Sequence, residues 1–273
     1  MARILTSLHG RKAGLDKDGR LIVPGGVVAG EHGNQFSLHS ADRVVLLDDF
    51  TGDVVADQWN LLEGTDSATT DAAVLAGGIG GVLRLTTGDA GTGIAADHVQ
   101  VTQALQWQAS NGKLTFQARL KLGTITNVWA YLGFTDLATS LEAPVTLNAT
   151  TFTTNASDAV GFMFDTTATV DTWRMVGVKA DTDAMTDTTS KFATDTAPVA
   201  DTYATFRVEV DTSGNATFFY NGSQVGYLAN AVTAGADLTP TLNYANLSGT
   251  TARTMDVDYV YVAMDRGANG AST

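Results

Sequence analysis

Residues 206–228, FRVEVDTSGNATFFYNGSQVGYL, constrain the fold most strongly, because three β-type segments and two turns follow one another within 23 residues. Phe206 and Val208 alternate with polar residues, which is the period of a strand with one buried face. Asn221 and Gly222 suit a tight hairpin, since both central residues of a type I′ turn need positive φ. This meander predicts an antiparallel sheet.

The same alternation extends over KLTFQARLKL at 113–122, where every second residue from Leu114 is apolar and Thr115, Gln117, Arg119 and Lys121 fall on the wet face. Other short β-rich segments bounded by turn formers lie at 82–86, 128–134, 160–164 and 173–179. The segment 97–108 is compatible with helix or strand, and we assign it to a strand. No helix of ordinary length is expected, and the fold class is all-β, an antiparallel β-sandwich.

Residues 1–47 differ from the rest of the chain. They hold six Lys/Arg and four Asp/Glu, about +2, which leaves ten against twenty-five, about −15, for the remainder. Turn signals such as VPGG alternate with short apolar runs, which predicts an extended N-terminal arm. Its candidate assembly residues are Leu21, Ile22, Val23, Val44, Val45 and Leu46. The arm can lie across a partner or pack on its own domain, and both alternatives are open at this point.

The predicted organisation is therefore an arm at 1–47, a sandwich at 48–265 and a flexible tail at 266–273. A net charge of −13 argues against nucleic-acid binding, which depends on Lys and Arg neutralising phosphates. No run of 18 apolar residues is present, so no membrane association is expected, and without a secretory signal the chain is expected to be made in a cytoplasm. Cysteine is absent, which excludes disulfides and thiolate sites.

Two Thr- and Asp-rich stretches, 146–157 and 181–202, are poor in bulky residues and are predicted to be surface loops. The acids at 165–172 and 181–187 could bind calcium through oxygen ligands, but neither stretch has the spacing of a known calcium loop, and plain acidic turns are the alternative. The four histidines are scattered along the chain and predict no catalytic group.

The stretches LLDDFTGDVVADQW at 46–59 and TARTMDVDYVYVAMDR at 251–266 resemble the opening and closing strands of the concanavalin A-like lectin and glucanase (LamG-like) jelly rolls. The FFYNGSQVG hairpin resembles the strands before the last one. The resemblance implies a jelly-roll sandwich in which Phe50 and Trp59 enter the core. It also implies a structural calcium held by Asp258, with Asp49 or a carbonyl near Gly52 as companion; no other cofactor is expected.

Glycosidases of that family carry E-x-D-x-x-E on a central strand, because one carboxyl protonates the leaving group while the other attacks or activates water. The chain has four glutamates, at 31, 63, 142 and 209, and none completes the motif. Glu209 offers E-x-D with Asp211, but Gly214 stands where the second glutamate would be. We therefore expect no catalytic residues and no enzyme. Sugar rings could still stack on exposed aromatic residues, with core packing as the alternative fate of Trp107, Trp129, Trp173 and Tyr220.

A sandwich without catalytic residues, a differently charged arm and a Thr-, Ala- and Gly-rich composition resemble a bacteriophage virion structural protein. The main hypothesis is a capsid decoration or cement protein, assembled in the host cytoplasm and attached through its arm to the major capsid protein or other virion subunits. A homo-oligomer is expected, with a trimer favoured. The alternatives are a carbohydrate-binding, lectin-like module of a fibre or host-attachment protein, with a glycan as partner, and a divergent glycan hydrolase.

Overall fold

The computed structural model describes residues 43–266 apart from 53–54, 56, 67–69, 76–79, 92 and 193–196, together with the backbone of five short strands nearer the N-terminus. Those five strands are β1 Leu5–Leu8, β2 Arg11–Leu15, β3 Leu21–Val23, β4 Val27–Ala29 and β5 Phe36–Ser37. They pair in chain order as an antiparallel meander.

The remaining strands are β6 Arg43–Asp48, β7 Asn60–Glu63, β8 Asp71–Val74, β9 Leu83–Thr86, β10 His98–Thr102, β11 Leu114–Leu122, β12 Val128–Thr135, β13 Val145–Asn148, β14 Thr151–Thr154, β15 Ala159–Asp165, β16 Arg174–Lys179, β17 Thr182–Asp183, β18 Ala204–Val210, β19 Ala216–Tyr220, β20 Ser223–Leu228, β21 Thr239–Asn246 and β22 Thr254–Asp265. A single helical turn, α1 Ile94–Asp97, and a 3-10 turn, Ala109–Asn111, are the helical elements of the described residues.

Two antiparallel sheets form the sandwich. One has eight strands in the order β20-β19-β18-β11-β22-β9-β8, with β6 also paired to β22. The other has seven, β17-β16-β15-β12-β21-β10-β7, and β13 and β14 form a separate hairpin. The prediction of an all-β antiparallel sandwich is confirmed. None of the described helices is long and apolar enough to cross a membrane.

The core between the sheets is built from the apolar faces of alternating strands. On β11 every second residue from Leu114 is buried, as its sequence predicts. Phe116 of β11 meets Phe134 of β12 edge to face with ring centroids 5.8 Å apart. Phe162 of β15 contacts Phe206 and Phe218 in the same way, at 5.3 and 5.4 Å. Such pairs favour edge-on geometry because a positive ring edge meets a negative ring face, and they fix how the two sheets face each other.

The opening of the sandwich differs from the expectation drawn from residues 46–59. The strand is β6, Arg43–Asp48, and the residues after it form a connection to β7. Phe50 adopts a φ of 51°, which an extended strand does not allow. The carboxylate of Asp48 accepts hydrogen bonds from the Phe50 amide at 2.9 Å and the Trp59 indole at 2.8 Å. Phe50 and Trp59 are both buried, as predicted.

The two Thr-rich stretches were predicted to be surface loops, and this is wrong for several of their residues. Leu147 and Ala156 are buried, and so are Met185 and Phe192 in the second stretch. Their backbone forms β13 and β14, which lie over the seven-stranded sheet, and β17, which is an edge strand of that sheet. A few apolar side chains therefore anchor segments whose average composition is polar.

Candidate functional site

An open groove of about 800 Å³ lies on the outer face of the eight-stranded sheet. This volume is within the range of small-molecule sites. We call it the outer groove, and its lining residues are Arg43, Asn111, Gly112, Lys113, Thr115, Gln117, Arg207, Glu209, Val210, Asp211, Thr212, Asn215, Thr217, Tyr227, Tyr261 and Asp265. Most are polar, and two tyrosines lie among them.

Strand alternation and register place these side chains together. Because neighbouring residues of a strand point to opposite faces, the core positions of β11 leave Thr115 and Gln117 on the outer face. Gln117 is opposite Arg207 of β18 on one side and opposite Tyr261 of β22 on the other. Glu209 lies between Thr115 and Thr217 in the next row. The floor of the groove is thus a regular grid of hydrogen-bonding groups.

The charged groups of the outer groove are paired with one another. Asp265 lies 3.3 Å from the Lys113 ammonium and 3.5 Å from the Arg43 Nε. Arg207 Nη1 lies 3.2 Å from Glu209 Oε1, and its guanidinium stacks over the Phe219 ring at 4.0 Å. These contacts hold the long side chains in defined positions, although exposed pairs of this kind stabilise the fold little.

Asp211 has a structural task at the edge of the groove. Its carboxylate accepts the backbone amides of Ser213 and Asn215 and the Asn215 side-chain amide, at 2.8 to 3.0 Å. Partial burial alone would raise the pKa of Asp211, but these hydrogen bonds leave the pKa below its ordinary value. Asp211 is therefore ionised and committed to the β18–β19 turn.

The aromatic residues chosen from the sequence are not the ones in the groove. Core packing, the alternative to sugar stacking, applies to all four: Trp107, Trp129 and Trp173 are buried, and Tyr220 packs against the core. Tyr227, 53% exposed, and the half-buried Tyr261 face the groove instead. The alternation in DYVYVAMD indicates that Tyr261 points to the outer face, because its neighbours Val260 and Val262 are core residues.

The outer face of the seven-stranded sheet is also polar and aromatic, but it is covered. His98 of β10 meets Trp129 of β12 edge to face at 5.4 Å, and Trp129 stacks parallel to Tyr131 at 6.5 Å. His98 Nε2 and Asn243 Oδ1 are 2.9 Å apart. All four side chains are fully buried. This face is therefore closed to any ligand in the structure described.

Residues 136–156, the cover segment, close that face. The Trp129 indole donates to the Val145 carbonyl at 3.0 Å, and the Gln100 amide donates to the Leu137 carbonyl at 2.9 Å. Asp165 accepts the Leu147 amide at 2.9 Å. Two buried atoms beneath the cover, His98 Nδ1 and Gln100 Oε1, have no hydrogen-bond partner among the described atoms. Burial lowers the pKa of His98 to about 4 despite its contact with Asn243, so this imidazole is neutral.

The calcium prediction rests on Asp258 and Asp49. The register of β6 and β22 brings both to the same end of β6. The Asp258 carboxylate, however, pairs with Arg119 at 2.6 Å, and Asp49 accepts the Thr51 hydroxyl at 3.1 Å. Calcium takes six to eight oxygen ligands. Across the described part of the chain, no three His, Asp or Glu residues gather as a metal site would require.

The calcium site therefore stays a prediction with a direct test. If a structural calcium is bound near Asp258, a chelator should lower the melting temperature, because a ligand specific to the folded state stabilises it by mass action. An Asp258→Asn variant should lose that sensitivity to chelator. A wild-type melting temperature that chelator leaves unchanged would discard the site.

The candidate assembly residues fall in two places. Val44, Val45 and Leu46 lie on β6, which pairs with β22 of the same chain from Arg43 to Asp48. Val44 and Leu46 also pack against the core. For these three the structure supports packing on the chain's own sandwich, the alternative left open above. Residues 21–23 form β3, whose side chains lie outside the described residues, as do residues 267–273 of the predicted tail.

Comparison with known proteins places the sandwich among solved structures. Neither protein-family models nor curated proteins give a match to this sequence. A Bacillus licheniformis β-glucanase is similar over 80% of this chain and 97% of its own, with a TM-score of 0.53 and 11% identity. The Emp47p carbohydrate recognition domain is similar over 84% and 99%, with a TM-score of 0.55 and 10% identity. The chain has a concanavalin A-like jelly-roll fold.

A protein of unknown function from Shewanella oneidensis MR-1 is also similar, with a TM-score of 0.53 and 14% identity over 85% of this chain and 90% of its own. At these identities the likeness shows the fold alone. The expectation that the chain is not an enzyme is corrected by this comparison, because it followed from the absence of catalytic motifs, and glycoside hydrolases are among the similar structures. The jelly roll is compatible with glycan hydrolysis as well as with glycan binding.

Proposed function

We propose that this jelly roll binds glycans in the outer groove. The observation that carries the proposal is the combination, in one open groove of about 800 Å³, of two accessible tyrosine rings with a floor of fixed hydrogen-bonding side chains. Sugars present apolar ring faces and many hydroxyls, so they are recognised by aromatic rings together with oriented polar groups. A glucanase and a carbohydrate recognition domain with the same fold support this choice of ligand class.

Each side chain has a definite part in such binding. Tyr261 and Tyr227 supply ring faces, while Gln117 and Arg207 supply donors to sugar hydroxyls. Glu209 and Asp265 supply acceptors, because a carboxylate accepts several hydrogen bonds. Gln117 is held by donating its amide to the Tyr259 hydroxyl at 2.6 Å, and Arg207 is held by Glu209 and Phe219. Preorganised side chains lose less conformational entropy on binding.

A glycan-binding screen followed by titration tests the proposal. Replacing Tyr261 by alanine should weaken binding about tenfold, since one lost ring contact costs on the order of 1 kcal/mol. Val199→Ala is the matched control, because Val199 is exposed and lies outside the groove. A broad screen without any glycan ligand, or a ligand that Tyr261→Ala binds as tightly as wild type, would remove the proposal.

Glycan hydrolysis in the same groove is the second candidate, favoured by the place of Glu209 on its floor. Hydrolysis requires two carboxyl groups on opposite sides of the scissile bond. The groove lining has three carboxylates, and because Asp211 is bound to the β18–β19 turn, Asp265 is the one that could act together with Glu209. Release of reducing ends by wild type should then fall by about three orders of magnitude or more in Glu209→Gln, as when an enzyme loses its general acid or nucleophile. Cleavage that survives this substitution would exclude Glu209 from the chemistry.

A place in a virus particle is a separate proposal, favoured by the N-terminal strands β1 to β5, which pair with each other in a sheet of their own. Such a unit, slightly basic beside an acidic sandwich, could bind an acidic protein surface such as that of a capsid. Co-sedimentation with particles should then be lost when residues 1–40 are deleted. Particle binding by the shortened protein would exclude the arm as the attachment element.

A further inference from the structure

The charges of the outer groove limit which glycans can bind there. Three cationic side chains, Arg43, Lys113 and Arg207, face three carboxylates, Glu209, Asp211 and Asp265, so the lining carries no net charge. Each of these carboxylates already has a partner: Glu209 and Asp265 form ion pairs with the cations, and Asp211 accepts hydrogen bonds from backbone amides. An acidic sugar would add a further negative charge to a lining whose cations are already balanced by carboxylates, inside a protein whose net charge is −13. A groove balanced in this way favours an uncharged ligand.

The positions of the two rings limit the length of the ligand. Tyr227 is on β20 and Tyr261 is on β22, and the strand order β20-β19-β18-β11-β22 separates them by four strand spacings. At about 4.8 Å per spacing, the two backbones are about 19 Å apart. A monosaccharide cannot contact both rings, whereas a chain of several sugars lying across the strands can. Between the rings one row of the floor carries Thr217, Glu209 and Thr115, along which such a chain can lie and form hydrogen bonds.

We infer that the outer groove binds an uncharged oligosaccharide chain that lies across the strands, with one sugar on Tyr227 and another on Tyr261. This inference rests on the proposed glycan-binding function and adds the charge class, the orientation and the minimum length of the ligand. The three paired cations serve as hydrogen-bond donors to hydroxyls and not as anion receptors. Since no counterion is released from an uncharged ligand, binding is expected to depend little on salt.

A titration series with neutral β-linked glucose oligosaccharides, from the disaccharide to the hexasaccharide, tests the inference, with oligogalacturonates of matched length as the acidic counterpart. The hexasaccharide should bind the wild-type protein roughly tenfold more tightly than the disaccharide, because the disaccharide can contact one ring and the hexasaccharide adds the contact with the second ring. Tyr227→Ala and Tyr261→Ala should each weaken hexasaccharide binding about tenfold, and should weaken disaccharide binding only about twofold because the disaccharide can still occupy the other ring. Raising the salt from about 50 to about 500 mM should change the affinity less than twofold.

The outcomes separate this inference from the function on which it rests. Preferred binding of the oligogalacturonates, with a steep salt dependence and loss in Tyr261→Ala, would overturn the charge class and leave the groove as a glycan site. Equal affinity for disaccharide and hexasaccharide would overturn the extended orientation in the same way. The absence of binding to every oligosaccharide, with Val199→Ala and wild type both folded by circular dichroism, would overturn both the inference and the proposed function.

Discussion

Replacing Asp187 by alanine is expected to lower the free energy of unfolding by about 3–5 kcal/mol, because it leaves a buried guanidinium without its counter-ion. Arg174 is 1% exposed, and its Nη1 lies 2.8 Å from Asp187 Oδ1. The same nitrogen donates to the Asp187 carbonyl at 2.9 Å, and Nη2 donates to the Val170 carbonyl at 3.3 Å. Denaturant unfolding of Asp187→Ala and wild type, analysed with a common slope, measures the difference.

Two further variants make the test of Asp187 specific. Asp171→Ala removes an exposed acid from the neighbouring loop and should change stability by less than about 0.5 kcal/mol. The double variant Arg174→Met and Asp187→Ala should be more stable than Asp187→Ala alone, since it removes the unpaired charge together with its partner. If the double variant is instead the less stable of the two, the loss comes from packing and the ion-pair explanation fails.

Asp187 also shows where sequence reasoning stops. The sequence DTDAMTD is compatible with a calcium loop or with a plain acidic turn. The function of Asp187 in the fold depends on Arg174, which lies on a strand thirteen residues earlier and whose burial requires the whole seven-stranded sheet. No feature of the local sequence shows which of the several aspartates pairs with a buried arginine.

The strands themselves were predictable for a physical reason. In β11 and β18 one face is buried and the other faces water, so apolar and polar residues alternate along the sequence with a period of two. In β12, β15 and β21 both faces are buried, because the cover segment and the other sheet lie on either side. Such strands show no alternation. The apolar runs of β12 and β15 still predict strands at 128–134 and 160–164, whereas β21, TPTLNYAN, has neither alternation nor a long apolar run.

The groove was only partly predictable. Alternation placed Thr115, Gln117 and Arg119 on a wet face from the sequence alone. It could not show that Gln117 lies between Arg207 and Tyr261, because strand order brings together residues that are about ninety and about a hundred and forty positions away.

Acidification is expected to destabilise the sandwich through His98. Its pKa is about 4 in the folded chain and about 6.5 when unfolded, so the unfolded chain binds the proton more tightly. The stability contributed by the neutral imidazole is therefore fully present above pH 6.5 and is lost progressively as the pH falls to about 4. The difference of about 2.5 pKa units corresponds to roughly 3 kcal/mol, because each unit is worth 1.36 kcal/mol.

Comparison with His98→Gln isolates this contribution, because every carboxylate that titrates over the same range is present in both proteins. The free energy of unfolding of wild type should fall by about 3 kcal/mol more than that of the variant between pH 7 and pH 4. A parallel fall in the two proteins, or an NMR titration in which folded His98 has a pKa near 6.5, would contradict the buried neutral state. Since the imidazole lies against Trp129, to which the cover segment is bonded through the Val145 carbonyl, its protonation should loosen that segment first. The protection of backbone amides against hydrogen exchange, relative to the intrinsic rate at each pH, should then fall between pH 7 and pH 5 in 136–156 before it falls in β11.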